Sequence, residues 1–246
     1  MPEATDPRTD GDLRAEVVHA GRVLAANGHS DMVWGHVSIR DPHGRGLWVK
    51  RSGLGFEELA SEDVQLLDHE GELVDGMGSP HLERYIHTEI MRRRPDVGCV
   101  IHTHPEAATT FAATGMRLLA IAHEATMFGP DDIARFTETG DLIRSAELGQ
   151  RVAEALADRD ALLLVNHGVV VTGPTVAEAA FAAVLLEKAC RMQLAAAAAV
   201  GAERLICSPP DEALAKRDRC YSPTQLAHGW GYLSRQEAAR SASSGS

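Results

Sequence analysis

The segment Ala161–Gly173, ALLLVNHGVVVTG, decides how this chain folds. Apolar residues flank Asn166-His167-Gly168 on both sides, and an Asn and a Gly around the histidine permit a sharp backbone bend. The segment therefore predicts two short buried strands that meet at the bend. His167 lies in the middle of it, where an imidazole left without a partner costs about 1–3 kcal/mol. It is either a hydrogen-bonded core histidine or a ligand.

Downstream, TVAEAAFAAVLLEKACRMQLAAAA predicts a long helix, with Thr175 as cap and Glu178 completing a capping box. Upstream, GDLIRSAELGQRVAEALADRD predicts one amphipathic helix or two. RLLAIAH (117–123) predicts a strand, PEAATTFAATG a helix closed by Gly115, and VGCVIHTH a further strand. SPHLERYIHTEIMRRRPD predicts a helix capped by Ser79, with Pro80 in its first position and Pro95 beyond its end. VWGHVSIRD and GLWVKRSG are β-branched segments joined by the turn PHGR, and VQLLD and LVDG repeat that pattern around HEGE. LRAEVVHAGRVLAAN predicts a first helix that stops at Gly28. Helices interleaved with strands in this way predict a mixed sheet covered by helices, of α/β or α+β type.

The formal charge of −11 argues against nucleic acid as a partner, since phosphate binding needs a basic face. No stretch approaches the ~20 apolar residues of a membrane-spanning helix. The four cysteines, Cys99, Cys190, Cys207 and Cys220, form no Cys-x-x-Cys pair, which argues for a reducing cytoplasm rather than a disulfide framework. With no linker or repeat, residues 13–236 are expected to form one domain, with 1–12 and 237–246 as flexible tails.

Two histidines, His102 and His104, end the strand segment CVIHTHP. Side chains at i and i+2 of a strand share a face, with Cα atoms roughly 6.5–7 Å apart. Both imidazoles can therefore reach one ion at a His–metal distance of ~2.0–2.1 Å, although strand ends also tolerate polar residues without any metal. His167 would supply the third nitrogen of an open catalytic site. Glu83, expected in the first turn of the SPHLERY helix, either complements the helix dipole or serves as a carboxylate beside a metal.

The succession SPHLE, RRRPDVGCVIHTHP and LLLVNHGVVVTG...AEAAFAAVLLEKACRMQLAA closely resembles the class II aldolase/adducin family over about residues 13–200. The resemblance implies an α/β fold, with a central, mainly antiparallel sheet flanked by helices on both sides. It also implies a ring-shaped homotetramer with active sites between subunits. It further implies one divalent metal ion per subunit on His102, His104 and His167, zinc first, with manganese, iron or cobalt also suited to such a site. Glu83 matches the glutamate that acts in the family as fourth ligand or acid/base.

The chain departs from the sugar-phosphate members of that family. Where they resemble one another in G-N-x-S and P-S-S-E, this sequence reads Gly35-His36-Val37-Ser38 and Pro80-His81-Leu82-Glu83. Leucine cannot donate a hydrogen bond to phosphate, although Ser52 and Gly53 still match a small-residue turn that holds an anion. His36 and His81 are either strand-end histidines or contacts for a carboxylate or hydroxyl group. His123 loosely matches a position near the substrate, and Tyr221, His228, Trp230 and Tyr232 either close a neighbouring pocket or simply pack. The GHVSIRDP wording resembles members acting on non-phosphorylated substrates, such as 3,4-dihydroxyphthalate decarboxylase. The expectation is a metal-dependent decarboxylase of a hydroxylated aromatic acid, with Glu83 moving a proton and a small carboxylate as its ligand. The alternatives are an aldolase or epimerase on a small hydroxy-keto or sugar-phosphate compound, and a non-catalytic adducin-like interaction module.

Overall fold

In a computed structural model describing residues 6–130 and 132–244, the bend at Asn166–Gly168 joins two neighbouring strands of an eight-stranded sheet. In chain order the elements are α1 (Asp10–Leu24), β1 (His36–Arg40), β2 (Leu47–Lys50), β3 (Val64–Leu67), β4 (Leu73–Asp75), α2 (Arg84–Arg93), β5 (Cys99–Thr103), α3 (Glu106–Thr114), α4 (His123–Thr126), β6 (Ala134–Phe136), α5 (Ala146–Leu156), β7 (Ala161–Leu164), β8 (Gly168–Gly173), α6 (Val176–Val200), α7 (Pro210–Cys220) and α8 (Pro223–Ser244). The strands run in the order β4-β3-β2-β1-β5-β8-β7-β6, and every neighbouring pair is antiparallel except β6–β7.

Strand alternation divides the core into two layers. Val37, Ile39, Trp48, Ile101, Leu163 and Val171 pack with residues of α1, α3 and α6 on one face. Leu47, Val49, Val100, Leu162, Leu164 and Val170 pack with α2 and α5 on the other. The expected α/β fold, a mainly antiparallel sheet between helical layers, is the one observed.

The register of β1 on β5 places the polar residues. His36 lies opposite His102 and Ser38 opposite Val100. By the two-residue period these four share the face covered by α2, and His87 of α2 points down among them. This end of the layer is therefore built from histidines rather than aliphatic side chains.

Three expectations are corrected. The SPHLERY helix begins at Arg84, not at Ser79: Glu83 has the non-helical angles φ −92°, ψ 22° and stands just outside it. Ser79 instead accepts from the Ser52 N–H at 3.0 Å, and Glu83 turns its carboxylate away from the helix. RLLAIAH forms no strand. Its amides are met by side chains, Leu118 N–H by Asp132 Oδ1 and Leu119 N–H by Gln193 Oε1, both at 2.8 Å, so it needs no ladder. Helix also reaches into both segments expected as tails. Thr9 caps α1 from Asp10, and Glu237 of α8 is buried and 3.7 Å from His19. Residues 1–5 and 245–246 of those tails lie outside the described residues.

Candidate metal centre

His102 is the penultimate residue of β5, His104 follows just past its end, His167 sits in the β7–β8 bend, and Glu83 precedes α2. Their ligand atoms all lie within 4.8 Å of one another. His102 Nε2 is 3.1 Å from His104 Nε2 and 3.4 Å from Glu83 Oε2, and His167 Nε2 is 3.5 Å from Glu83 Oε1. His102 and Glu83 are buried, and His104 and His167 are nearly so.

The backbone explains the convergence. Asn166 takes φ 60° to turn the β7–β8 bend, a conformation Asn tolerates better than most residues. At Gly168 an added Cβ would stand 2.5 Å from His104 Cδ2 and 2.6 Å from the Thr103 carbonyl, so only glycine lets β8 approach this closely. Behind His104, Glu187 of α6 accepts from the N–H groups of Ala107 and Ala108 at 3.1 and 2.8 Å, anchoring the first turn of α3.

The outer nitrogens fix the inner ones. His102 Nδ1 donates to the Val169 carbonyl at 2.9 Å, and His104 Nδ1 donates to the Asp31 carboxylate at 2.7 Å. Both partners can only accept, so each Nδ1 carries its ring's proton and each Nε2 presents a bare lone pair. Two lone pairs facing each other at 3.1 Å repel unless something positive lies against them. Burial alone would raise the Glu83 pKa; His102 and His167 lower it when their rings carry a second proton, and a cation standing in place of those protons would hold the carboxylate ionised in the same way. Its Oε1 accepts from Ile143 N–H at 2.8 Å. Burial pushes His104 down to about 4, opposed by the Asp31 carboxylate. Neutral imidazole lone pairs and an ionised carboxylate are the donor set a divalent cation requires, so these residues fit one. Asp31 had no motif to reveal it in the sequence.

His36 and His81 lie beside this cluster. Their ring centroids are 4.0 Å apart, His36 is 5.0 Å from His102, and with Glu83 they form a second close group. Both are buried, with His36 Nε2 and His81 Nδ1 lacking partners. Leu82 between His81 and Glu83 is 56% exposed. Ser52 and Gly53 form a turn tied to Ser79, with Gly53 exposed at φ 86°. His123 is not drawn into the cluster: its Nδ1 is 3.4 Å from Cys220 Sγ and its carbonyl accepts from Tyr221 OH at 2.7 Å. Trp230 packs edge-on against His19 at 5.2 Å.

The family described as Class II Aldolase and Adducin N-terminal domain matches residues 15–194. A 5-methylthioribulose-1-phosphate/5-deoxyribulose-1-phosphate aldolase of Rhodospirillum rubrum is 34% identical over 178 residues, 72% of this chain and 77% of that protein. A 3,4-dihydroxyphthalate decarboxylase of Arthrobacter keyseri is 30% identical over 216 residues, 82% of this chain and 86% of that one. Among solved structures, an L-fuculose 1-phosphate aldolase from Glaciozyma antarctica superposes with a TM-score of 0.82 at 25% identity, covering 97% of this chain and 96% of its own.

Proposed function

From a chain that belongs to the class II aldolase and adducin family, we infer a divalent-metal-dependent carbon–carbon lyase that decarboxylates a hydroxylated aromatic acid, a dihydroxyphthalate- or dihydroxybenzoate-like compound. His102, His104 and His167 would hold the ion, zinc first, with Glu83 as fourth ligand or acid/base. When bound, such an ion supplies Lewis-acid stabilisation of negative charge developing on neighbouring substrate oxygens.

One observation carries the choice of substrate. The buried polar atoms left without partners beside the cluster are His36 Nε2 and His81 Nδ1, and Leu82, which has no hydrogen-bonding group, points outward. Imidazoles suit the carboxylate and hydroxyl groups of an aromatic acid better than a phosphate dianion. The apolar Met32, Trp34 and Leu82 are exposed, Met32 and Leu82 next in sequence to Asp31 and Glu83 and Trp34 two residues before His36. They suit either an aromatic ring or the next subunit of a homotetramer. In the decarboxylation Glu83, ionised at the outset, would accept the proton of a substrate hydroxyl; the carboxylate leaves as carbon dioxide and the ring carbon takes that proton back from Glu83. His123 would contribute only across a subunit boundary. The free cysteines, Cys207 exposed among them, suit a reducing cytoplasm.

A second reading is aldol cleavage of a sugar phosphate, favoured by the Ser52–Gly53 turn and the aldolase relative. The adducin-like non-catalytic reading is weakened by the intact donor set. Incubation with dihydroxybenzoates and with ketose phosphates, following carbon dioxide and aldehyde, separates them. Carbon dioxide from the aromatic acid, lost in Glu83→Gln, is expected. Aldehyde from the sugar phosphate without carbon dioxide from any aromatic acid overturns the choice.

A further inference from the structure

A buried chain of hydrogen bonds runs from β1 to α2 and back to β1, into the side of the cluster. Ser38 Oγ is 2.6 Å from His87 Nδ1, and His87 Nε2 is 2.5 Å from His36 Nδ1. Ser38, His87 and His36 are fully buried. The last atom of the chain, His36 Nε2, has no partner.

The direction of the chain follows from its anchored end. The Ser38 hydroxyl donates to the Val100 carbonyl at 3.5 Å, a group that can only accept. With its one proton given there, the Ser38 oxygen can only accept from His87, so the His87 proton sits on Nδ1. Full burial keeps each imidazole neutral, with a single proton. His87 Nε2 is then a bare acceptor, and the contact to His36 requires the proton on His36 Nδ1. His36 Nε2 is left as a lone pair.

We propose that Ser38 and His87 are positioning residues that lock His36 with its Nε2 lone pair facing the site, as the acceptor for a hydroxyl of the substrate. This rests on the aromatic-acid reading above and narrows it. A lone pair beside the Glu83 carboxylate repels a substrate carboxylate, so the group at His36 must carry a hydrogen to give. Of the polar groups on a hydroxylated aromatic acid, that leaves the hydroxyl, and the carboxylate must lie elsewhere. No motif marked His87, one polar residue within a helix; only the packing of α2 on the sheet brings it against His36.

The test combines a spectrum with binding. In zinc-loaded protein labelled with ¹⁵N-histidine, His36, assigned by its loss in His36→Gln, is expected to show a pyridine-type Nε2 and a pyrrole-type Nδ1. His87→Leu removes the acceptor and is expected to convert or average the two signals. His87→Gln, whose carbonyl can still accept, is expected to retain them. Binding of a dihydroxybenzoate should weaken roughly tenfold in His87→Leu, the worth of about one hydrogen bond, and recover in His87→Gln. A mono-O-methyl ether blocked at the contacting hydroxyl should bind both variants as it binds the wild type.

A pyrrole-type Nε2 on wild-type His36 overturns the proposed orientation whatever the substrate. A second zinc ion per subunit, lost in His36→Gln, overturns the acceptor role by making the nitrogen a ligand. If no dihydroxybenzoate binds the wild type, the aromatic-acid reading fails and takes the hydroxyl assignment with it, while the spectrum still decides the orientation on its own.

Discussion

His102 and His104 face each other through nitrogens 3.1 Å apart, neither of which carries a hydrogen to share. Such a contact costs energy in the metal-free chain and is relieved by a cation. Adding zinc to metal-stripped protein should therefore raise the unfolding temperature, by the equivalent of about 2.7 kcal/mol at a hundredfold excess over Kd. His102→Ala should abolish that rise and the bound metal together. An unchanged melting temperature with zinc in the native protein would refute the assignment.

Asp31 would act on a bound ion through His104. Asp31→Asn keeps the shape but exchanges the accepting carboxylate, 2.7 Å from Nδ1, for an amide. Metal affinity should fall about 10–100-fold in chelator competition, with little change in fold by circular dichroism. Unaltered affinity would mean that the carboxylate does not orient the ring.

Gly168→Ala places a methyl group 2.5 Å from the His104 ring. Either β8 or the ring must give way, so metal content per subunit should drop. Ala at Gly44, where no atom lies within 4 Å of an added Cβ, is the control for a glycine lost where there is room, and should keep the metal.

Asp41 supplies the pH prediction. Burial pulls its pKa upward, but Arg45, its neighbouring amides and the Trp48 indole N–H overcome this and bring it to about 2. A depressed folded pKa gives stability that is present above the unfolded value of ~3.9 and is lost as pH falls toward about 2. Asp41→Asn should cost about 1–3 kcal/mol in urea unfolding at pH 7, and the gap to wild type should narrow steadily below pH 4. A gap independent of pH would show that charge is not what holds the β1–β2 turn.

Three of the seven strand pairs among the described residues were legible in the sequence because each has a local mark: the Asn-His-Gly bend for β7–β8, and the polar turns PHGR and HEGE for the hairpins β1–β2 and β3–β4; the long-range pairs, and the short strand β6 itself, carry no such mark. His102, His104, His167 and Glu83 were legible as candidates for the same reason, since spacing and apolar context single them out. What failed depended on distant partners. RLLAIAH has strand-like composition, yet side chains from Asp132 and Gln193 satisfy its backbone, and no local pattern records that. Ser79-Pro80 is a good helix start, overridden because Glu83 turns toward Ile143 and the histidines. Asp31 and His87 escaped notice because each matters only through a histidine more than fifty residues away.

The pairing of β5 between β1 and β8 has a further consequence. Residues along a strand alternate between faces, so a slip of one position would turn His102 from the α2 side to the α1 side. The slipped sheet could still bury valine and isoleucine, because both its faces are apolar. It would be compact yet unable to gather the ligands. Ion binding at this cluster would therefore proofread strand alignment, because only the observed register brings His102 to the other ligands.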